Sequence, residues 1–189
     1  HCRLSECAII GDTPTKGDRK WVSLYGEGHY VTDCRFDGKQ SAGTLLVVWL
    51  GNDDLAHGHH IERNFFGSRQ RLGKNGGEII RVGDSKTSMQ RAFTFVKSNY
   101  FYRCDGEAEI ISNKSCENFY QKNVFVGCSG ALTLRHGNRC RVTANEFYGD
   151  GRKGTGGVRI IGEGHQVKAN LFHSLEGNGT RAAVSLMNG

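Results

Sequence analysis

The sequence predicts an all-β fold, a right-handed parallel β-helix (solenoid) of about seven coils, because of a repeat and the turns that punctuate it. An Asn-x-Phe element recurs at intervals of 22 to 35 residues, beginning at Asn64, Asn99, Asn123, Asn145 and Asn170. A short apolar segment and then a Gly or Asn turn follow each copy. Short β segments repeating in this way, with no helical pattern between them, are typical of a solenoid in which one repeat forms one coil.

The same repeat predicts what lies inside the coils. Equivalent positions of successive coils stack about 4.8 Å apart in a parallel β-helix. We therefore expect the asparagines to form an amide ladder at a turn, pairing with backbone groups. The third residue of each repeat should form an internal aromatic ladder, made of Phe66, Phe101, Phe125, Phe147 and Phe172.

The apolar segments predict a second strand in every coil. In chain order they are residues 21–24, 46–50, 78–82, 107–111, 131–134, 158–161 and 183–186. Two polar stretches, 67–77 and 84–92, lengthen the repeat and should loop off one side, where such loops often wall a substrate groove. Solenoids need capped ends, and neither end of this sequence shows a cap. We expect residues 1–189 to form one domain, the central part of a longer β-helix.

The charge of the chain indicates an anionic partner, because its formal net charge is +6 at pH 7. The basic residues are dispersed, and no zinc-finger, homeodomain or RNP-type pattern is present, so no nucleic acid partner is expected. An acidic polysaccharide fits the charge equally well. No apolar run approaches the roughly 18 residues that span a membrane, so no membrane partner is expected either.

The cysteines follow the coil period. Cys104, Cys116, Cys128 and Cys140 are spaced 12 residues apart, so alternate members lie one coil apart. The chain has seven cysteines and no CxxC pair, which disfavours both a complete disulfide framework and a thiolate zinc site. We expect Cys104 with Cys128, and Cys116 with Cys140, to stack as inert buried thiols.

Two carboxylates stand out in the segment from Cys104 to Gly137. Glu107 and Glu109 lie two residues apart in a predicted strand, so both should point to the same side. The amide of Asn75 comes about one long coil earlier. Two carboxylates and an amide oxygen suit Ca²⁺, which takes oxygen ligands. The alternative is that both glutamates are solvated surface charges.

Lys114 comes in the turn directly after that strand. Taken alone it would be a solvated surface charge. Beside a divalent cation and other basic groups, its neutral amine would be favoured, and a neutral amine can act as a general base. Arg135, 21 residues later, should lie on the adjacent coil of the same face.

Basic side chains continue along this face. Arg135 and Arg159 are 24 residues apart and should stack on it, with His136 next to Arg135 and Arg81 extending the row. Arginines that share a face need anions nearby, and either structural carboxylates or those of a substrate would serve. His57, His59 and His60 resemble a metal cluster, but no downstream partner completes a zinc site. We expect turn and ladder contacts for these histidines.

Four strings carry a resemblance to a known family: NGGEIIRVG, CDGEAEIISNKSC, LTLRHGNRC and GGVRIIG. In this order and at these separations they resemble polysaccharide lyase family 6, which contains alginate lyases and the dermatan-sulfate lyase chondroitinase B. The resemblance covers residues 57–189, and the first 56 residues match only in coil rhythm. It implies an enzyme that cleaves uronic-acid-containing polysaccharide by Ca²⁺-assisted β-elimination, most closely an alginate lyase.

The resemblance also implies roles for individual residues. Lys114 would be the Brønsted base and Arg135 the Brønsted acid. The residues that would bind Ca²⁺ are Asn75, Glu107 and Glu109, and those that would contact substrate are His136, Arg159 and Arg81.

Three alternatives stay open at this stage: a dermatan sulfate lyase, a non-catalytic β-helix that binds polyanionic glycan, and a glycoside hydrolase on the same fold. A polymeric substrate outside the cytoplasm suggests a secreted or periplasmic protein.

Overall fold

The computed structural model describes residues 1–14, 17–51 and 57–188, and over these ranges the regular structure is almost entirely β. Its strands form three parallel sheets of seven strands each. The chain visits sheet A, then sheet B, then sheet C in every coil, which makes seven turns of a parallel β-helix. The predicted fold class is confirmed.

The strands are numbered in chain order. Sheet A contains β1 (Arg3–Ser5), β4 (Tyr30–Thr32), β7 (His60–Glu62), β10 (Phe95–Lys97), β13 (Phe119–Gln121), β16 (Arg141–Thr143) and β19 (Gln166–Lys168). Sheet B contains β2 (Ala8–Ile10), β5 (Arg35–Asp37), β8 (Phe65–Phe66), β11 (Tyr100–Tyr102), β14 (Val124–Val126), β17 (Glu146–Tyr148) and β20 (Leu171–His173). Sheet C contains β3 (Val22–Leu24), β6 (Leu46–Val48), β9 (Ile80–Gly83), β12 (Glu109–Lys114), β15 (Ala131–His136), β18 (Val158–Ile161) and β21 (Val184–Met187). One 3-10 turn, η1 (Gly179–Arg181), precedes β21.

Sheet A is the element that the repeat did not predict, since the sequence indicated two strands per coil. Its strands are only three residues long, and those that precede an asparagine of the repeat end two residues before it. They show a stack of half-buried rings on their outer side rather than an apolar run. The stack consists of Tyr30, His60, Phe95 and Phe119, with ring centroids 4.6 to 4.8 Å apart.

The corner between sheets A and B explains the asparagine of the repeat. The residue before it has a left-handed backbone, as in Ser98 (φ 56°), Lys122 (φ 53°) and Ala144 (φ 56°). Such residues cost roughly 1 to 2 kcal/mol each. The asparagines offset this cost with hydrogen bonds: Asn99 Nδ2 donates to Asn123 Oδ1 at 3.0 Å, and the same oxygen accepts the Asn99 backbone N–H at 3.0 Å. The predicted amide ladder is confirmed.

The phenylalanines stack inside sheet B as predicted. Their ring centroids are 4.5 to 5.1 Å apart from Phe66 through Phe101, Phe125 and Phe147 to Phe172. Phe36 adds one more ring at 5.3 Å from Phe66. The rings from Phe36 to Phe147 are almost fully buried, so the ladder forms part of the hydrophobic core.

The cysteines of the coil period lie in the interior. Cys104, Cys116, Cys128 and Cys140 are buried and free. The Cys104 N–H points at the Cys128 Sγ at 3.4 Å, and burial raises the pKa of the Cys104 and Cys140 thiols. These cysteines are core residues, as predicted.

Candidate active site

A groove runs over the outer face of sheet C and the loops that precede it. One cavity in this groove, of about 500 Å³, is lined by six of the residues singled out in the sequence. They are Asn75, Arg81, Glu107, Glu109, Lys114 and Arg135. His136 lines the adjoining cavity together with Arg135. Stacking of successive coils therefore brings residues up to 60 positions apart into one site.

Lys114 and Arg135 lie on adjacent strands, as predicted. Lys114 is the last residue of β12 rather than a turn residue, and its partner in β15 is His136. The register shifts between Asn113 and Lys114, which leaves Arg135 as an extra residue in β15. Bulges of this kind re-aim side chains next to active sites. The bulge places Arg135 beside Lys114 without making the two cations direct register partners.

The predicted stacking of Arg135 on Arg159 is wrong. Thr133, not Arg135, pairs with Arg159, because paired residues of β15 and β18 are 26 positions apart and not the 24 that separate the two arginines. Arg135 and Arg159 nevertheless share one face, since both approach Glu109. Glu109 Oε1 lies 4.0 Å from Arg135 Nε and 3.7 Å from Arg159 Nη1. A carboxylate of the protein itself, that of Glu109, thus lies near both arginines, which is one of the two sources of negative charge expected for them.

Arg81 and Arg159 occupy the same register position of sheet C, with β12 and β15 between them. Arg81 pairs with Ser112 of β12, Ser112 pairs with Thr133 of β15, and Thr133 pairs with Arg159. Its guanidinium lies over the ring of Trp49, 5.0 Å from the centroid, which is a cation–π contact. The ring holds the guanidinium over the groove without neutralising it.

Glu107 is not on the strand where the sequence placed it. β12 begins at Glu109, and Glu107 lies in the bend before it. Its side chain still reaches the groove, because the Gly77 N–H donates to Glu107 Oε2 at 3.0 Å. This contact joins Glu107 to the loop that carries Asn75. The Glu107 carboxylate therefore lies near Asn75 and Glu109, as predicted. A hydrogen bond between coils places it there, and not the alternation of side chains along a strand.

Arg69 holds the loop that carries Asn75 by donating hydrogen bonds to backbone carbonyls. The sequence did not single out this buried arginine. Arg69 is 1% exposed. Its Nη1 donates to the Glu78 carbonyl at 2.7 Å, and its Nη2 to the carbonyls of Gly76 at 3.0 Å and Gly43 at 2.7 Å. The single signal in the sequence is its place in a loop of insertion length, which does not distinguish it from an exposed arginine.

Glu78 is a third glutamate in the groove, also missed because it appeared to begin an apolar strand. It is 6% exposed and accepts a hydrogen bond from Thr44 Oγ1 at 2.9 Å. Asp18 lines the same cavity. Acidic side chains thus line the wall beside Asn75, and basic side chains line the strands opposite.

Two pKa shifts mark this charge distribution. Burial raises the pKa of Glu107, and the neighbouring carboxylates of Glu78 and Glu109 raise it further. Burial lowers the pKa of His136, and the positive charges of Arg135 and Lys114 lower it further. The acidic wall therefore favours an added positive charge, and the imidazole of His136 stays neutral at neutral pH.

These residues fit a hard cation. The crowding of carboxylates around half-buried Glu107 is relieved if a cation joins them, and Asn75 adds an uncharged oxygen. Over the described ranges, no three His, Cys, Asp or Glu side chains converge as a metal-binding group. A cation here would therefore use the amide of Asn75 beside Glu107 and Glu109, and would complete its shell with water or substrate.

The histidines near the start of sheet A make turn and ladder contacts, as expected. His59 Nδ1 accepts the His29 N–H at 3.1 Å, and His29 Nδ1 accepts the Cys2 N–H at 3.0 Å. His57 Nδ1 lies 2.6 Å from the Gly26 carbonyl oxygen. His60 belongs to the outer ring stack. The side chains of His29, His57 and His59 thus contact backbone groups at the corner between sheets C and A.

Comparison with known proteins agrees with this geometry. The sequence matches the chondroitinase B family over residues 1–189. It is similar to a mannuronic acid specific polysaccharide family 6 lyase from human gut microbiota, with 43% identity and a TM-score of 0.86 over 89% of this chain and 39% of that one. A comparison with curated proteins found no match.

Two further solved structures are similar. The family 6 alginate lyase AlyGC has 38% identity and a TM-score of 0.95, over 99% of this chain and 26% of that one. The alginate lyase AlyF-OU02, solved with G6, has 28% identity and a TM-score of 0.82, over 96% of this chain and 42% of that one. This chain therefore spans well under half the length of the structures it matches. No helix in the described ranges is long and apolar enough to cross a membrane. From its repeat, its site and these matches, the chain belongs to the chondroitinase B family, that is, to polysaccharide lyase family 6.

Proposed function

We propose that this chain carries the active site of a polysaccharide lyase that cleaves alginate by β-elimination. The observation that carries the proposal is the placement of Lys114 and Arg135 on adjacent strands of a groove whose wall presents Asn75, Glu107 and Glu109. The solved structures it resembles are described as alginate lyases, one of them specific for mannuronic acid. An acidic polysaccharide also fits the net charge of +6.

In the reaction, Lys114 in its neutral form takes the proton from C5 of the uronate, next to the carboxylate. The electron pair released at C5 forms the C4–C5 double bond, and the C4–O4 bond breaks with its electron pair leaving on O4. Arg135 donates hydrogen bonds to that oxygen and stabilises its charge until it is protonated. A guanidinium gives up its own proton reluctantly, so charge stabilisation is the role that its chemistry supports best.

Other side chains bind and orient the sugar. Arg159 and Arg81 present guanidinium groups that match the planar geometry of a carboxylate. His136, whose pKa is lowered by burial and by Arg135 and Lys114, offers one donor and one acceptor to hydroxyl groups. We propose that Asn75, Glu107 and Glu109 hold Ca²⁺, which when bound would neutralise the substrate carboxylate and so acidify the C5 proton.

Product analysis tests the reaction class. The protein is incubated with alginate and with dermatan sulfate, and ultraviolet absorbance of the C4–C5 unsaturated uronate is followed with and without calcium. We expect absorbance to rise with alginate and new reducing ends to appear at the same rate. New reducing ends without the absorbance would show a glycoside hydrolase instead. No product from either polymer would refute the lyase.

The dermatan sulfate arm tests the substrate, because the matching family is named for chondroitinase B. Faster turnover of dermatan sulfate than of alginate would reassign the substrate and leave the reaction class intact. We also propose that the protein acts outside the cytoplasm, where its polymeric substrate is found. Activity recovered only from the cytoplasmic fraction of the native source would contradict this.

A further inference from the structure

A second group of cations lies beside the groove, outside the residues that the family resemblance assigns. It lines a cavity of about 440 Å³ that adjoins the candidate cation site and shares Asn75, Glu107 and Glu109 with it. The remaining polar lining is basic or hydroxylic. It comes from the loop 67–77 and from the turn before β21, as Arg71, Lys74, Thr180 and Arg181.

Two of these cations converge although they are far apart in the sequence. Arg71 reaches across the coils, and its Nη2 donates to Ser129 Oγ at 3.1 Å. Ser129 Oγ and Arg181 Nη1 lie 2.8 and 3.1 Å from the point that a Cβ on Gly154 would occupy. Gly154 therefore leaves open a space beside the guanidinium of Arg181 and the serine hydroxyl that Arg71 contacts. Any larger residue would fill it.

Glu107 and Glu109 line the same cavity but lie outside ion-pair distance of these cations. Among the residues that the structure describes, no carboxylate forms an ion pair with Arg71, Lys74 or Arg181. Asp105, which accepts the Ser129 N–H at 2.7 Å, is already paired with Arg152 at 2.7 Å. Two guanidinium groups that face one space repel each other unless an anion joins them.

We propose that Arg71, Ser129 and Arg181, with Lys74 at the rim, form an anion-binding subsite. It would take the carboxylate or sulfate of a sugar neighbouring the one held at Asn75, Glu107 and Glu109. The inference rests on the proposed function, since the cavity continues the proposed substrate groove. It adds a specificity element: the neighbouring sugar must itself carry negative charge, as every residue of alginate and the sulfated sugar of dermatan sulfate do.

Binding in a catalytically inactive background tests the subsite apart from turnover. Lys114→Ala is combined with Arg71→Gln, with Arg181→Gln and with both. Affinity for an alginate tetrasaccharide and for a dermatan sulfate tetrasaccharide is measured by calorimetry at two salt concentrations. Lys122→Gln is the matched control, because it removes one exposed charge at the opposite corner between sheets A and B. Arg71 lies on an exposed loop, so its variant stays informative if Arg181→Gln fails to fold.

Each arginine variant should weaken binding roughly 10-fold, as loss of a charge-assisted hydrogen bond does. The fold-loss of affinity in the double variant should be smaller than the product of the fold-losses in the two single variants, because both arginines contact the same anion. Losses with alginate identify a carboxylate, and losses confined to dermatan sulfate identify a sulfate. Affinities within twofold of the Lys114→Ala parent for both ligands would overturn the subsite.

The result is separable from the proposed function. If the Lys114-containing protein forms unsaturated product while the arginine variants bind normally, the lyase stands and the subsite falls. If no unsaturated product forms but the arginine variants bind weakly, the subsite stands and the lyase falls.

Discussion

At the scale of single residues, Lys114 shows how position decides chemistry. It is an ordinary lysine in sequence, but it ends β12 beside the extra residue Arg135 and opposite His136. Burial and the neighbouring positive charges lower the pKa of His136, so the imidazole adds no charge near the lysine at neutral pH. Its position in the groove, beside Arg135 and within the same cavity as Asn75, Glu107 and Glu109, is where the proposed reaction requires a general base.

We predict that Lys114→Ala lowers kcat on alginate by about 100- to 10,000-fold, the range expected for loss of a general base. Binding of an alginate oligosaccharide, measured by calorimetry, should change little, because the cation site and the arginines remain. Lys122→Ala is the control and should keep full turnover. A Lys114→Ala protein with more than a tenth of the parent kcat would contradict the base assignment.

His59 should make stability depend on pH. Burial, together with the positive potential of His29 and His57, lowers its pKa from 6.5 to about 4. The unfolded chain therefore binds a proton at a higher pH than the folded chain does. Stability falls as pH drops from 6.5 towards 4, by roughly 3 kcal/mol in total, and is unaffected by this group above pH 6.5.

Urea unfolding between pH 7 and pH 4 measures this effect. The slope of unfolding free energy against pH should be shallower for His59→Gln than for the parent. His173→Gln, at an exposed histidine, is the control and should keep the parent slope. Identical slopes for the parent and for His59→Gln would rule out the assignment.

At the scale of elements, the corner between sheets A and B holds the coils in register. A left-handed residue turns the chain, and the asparagine that follows it bonds to the coils above and below. Asn123 is the middle rung: its Nδ2 donates to the Val96 carbonyl and to Asn145 Oδ1, both at 2.9 Å. Its Oδ1 accepts the backbone and side-chain N–H groups of Asn99. Each rung therefore satisfies buried groups of its neighbours.

Asn123→Ala should lower the free energy of unfolding by about 2 to 4 kcal/mol, because buried donors and acceptors on both sides lose their partners. Denaturant unfolding with an unchanged m-value would show this directly. Asn178→Ala is the matched control: Asn178 is exposed, its side chain makes no capping bond, and its loss should cost under about 0.5 kcal/mol. Equal losses for the two variants would mean that the ladder adds no stability.

The loop that carries Asn75 depends on Arg69 in the same way that the corner depends on its asparagine. Replacement of Arg69 by Met removes the guanidinium donor from the carbonyls of Gly43, Gly76 and Glu78, of which the last keeps only the Leu45 N–H. We predict a loss of about 3 kcal/mol or more in unfolding free energy, since several buried acceptors are affected at once. Arg71→Met, two residues away and exposed, should change stability little. A stable Arg69→Met protein with normal calcium affinity would show that the loop is fixed by other contacts.

At the scale of the whole molecule, stacking of coils assembles the site. Sheet C brings Arg81, Lys114 and Arg135 from three successive coils onto one face, and the preceding loops add the acidic wall. A cation held by Asn75 and two glutamates would therefore tie two coils together. Its binding should stabilise the folded chain by mass action.

Calcium should raise the Tm of the protein, and a chelator should lower both Tm and alginate turnover. At a free calcium concentration 100 times its Kd the stabilisation is about 2.7 kcal/mol. Glu107→Gln should remove the calcium dependence of Tm. Glu163→Gln, whose carboxylate lies in the adjoining cavity and not at the candidate cation site, should keep it. If the Tm of the parent protein is the same with and without calcium, the cation site is refuted.

Periodicity in the sequence determined the coil architecture, the Asn and Phe ladders and the buried cysteines, because identical positions of a solenoid repeat must meet. The spacing of Lys114 and Arg135 likewise placed them on adjacent coils. Only the tertiary structure decided what departs from the period. The 26-residue offset between β15 and β18 placed Thr133 instead of Arg135 beside Arg159, and the bend placed Glu107 before β12. Loop contacts brought in Arg69, Glu78, Arg71 and Arg181. Insertions and bulges have no fixed interval, so their contacts appear only once the chain is folded.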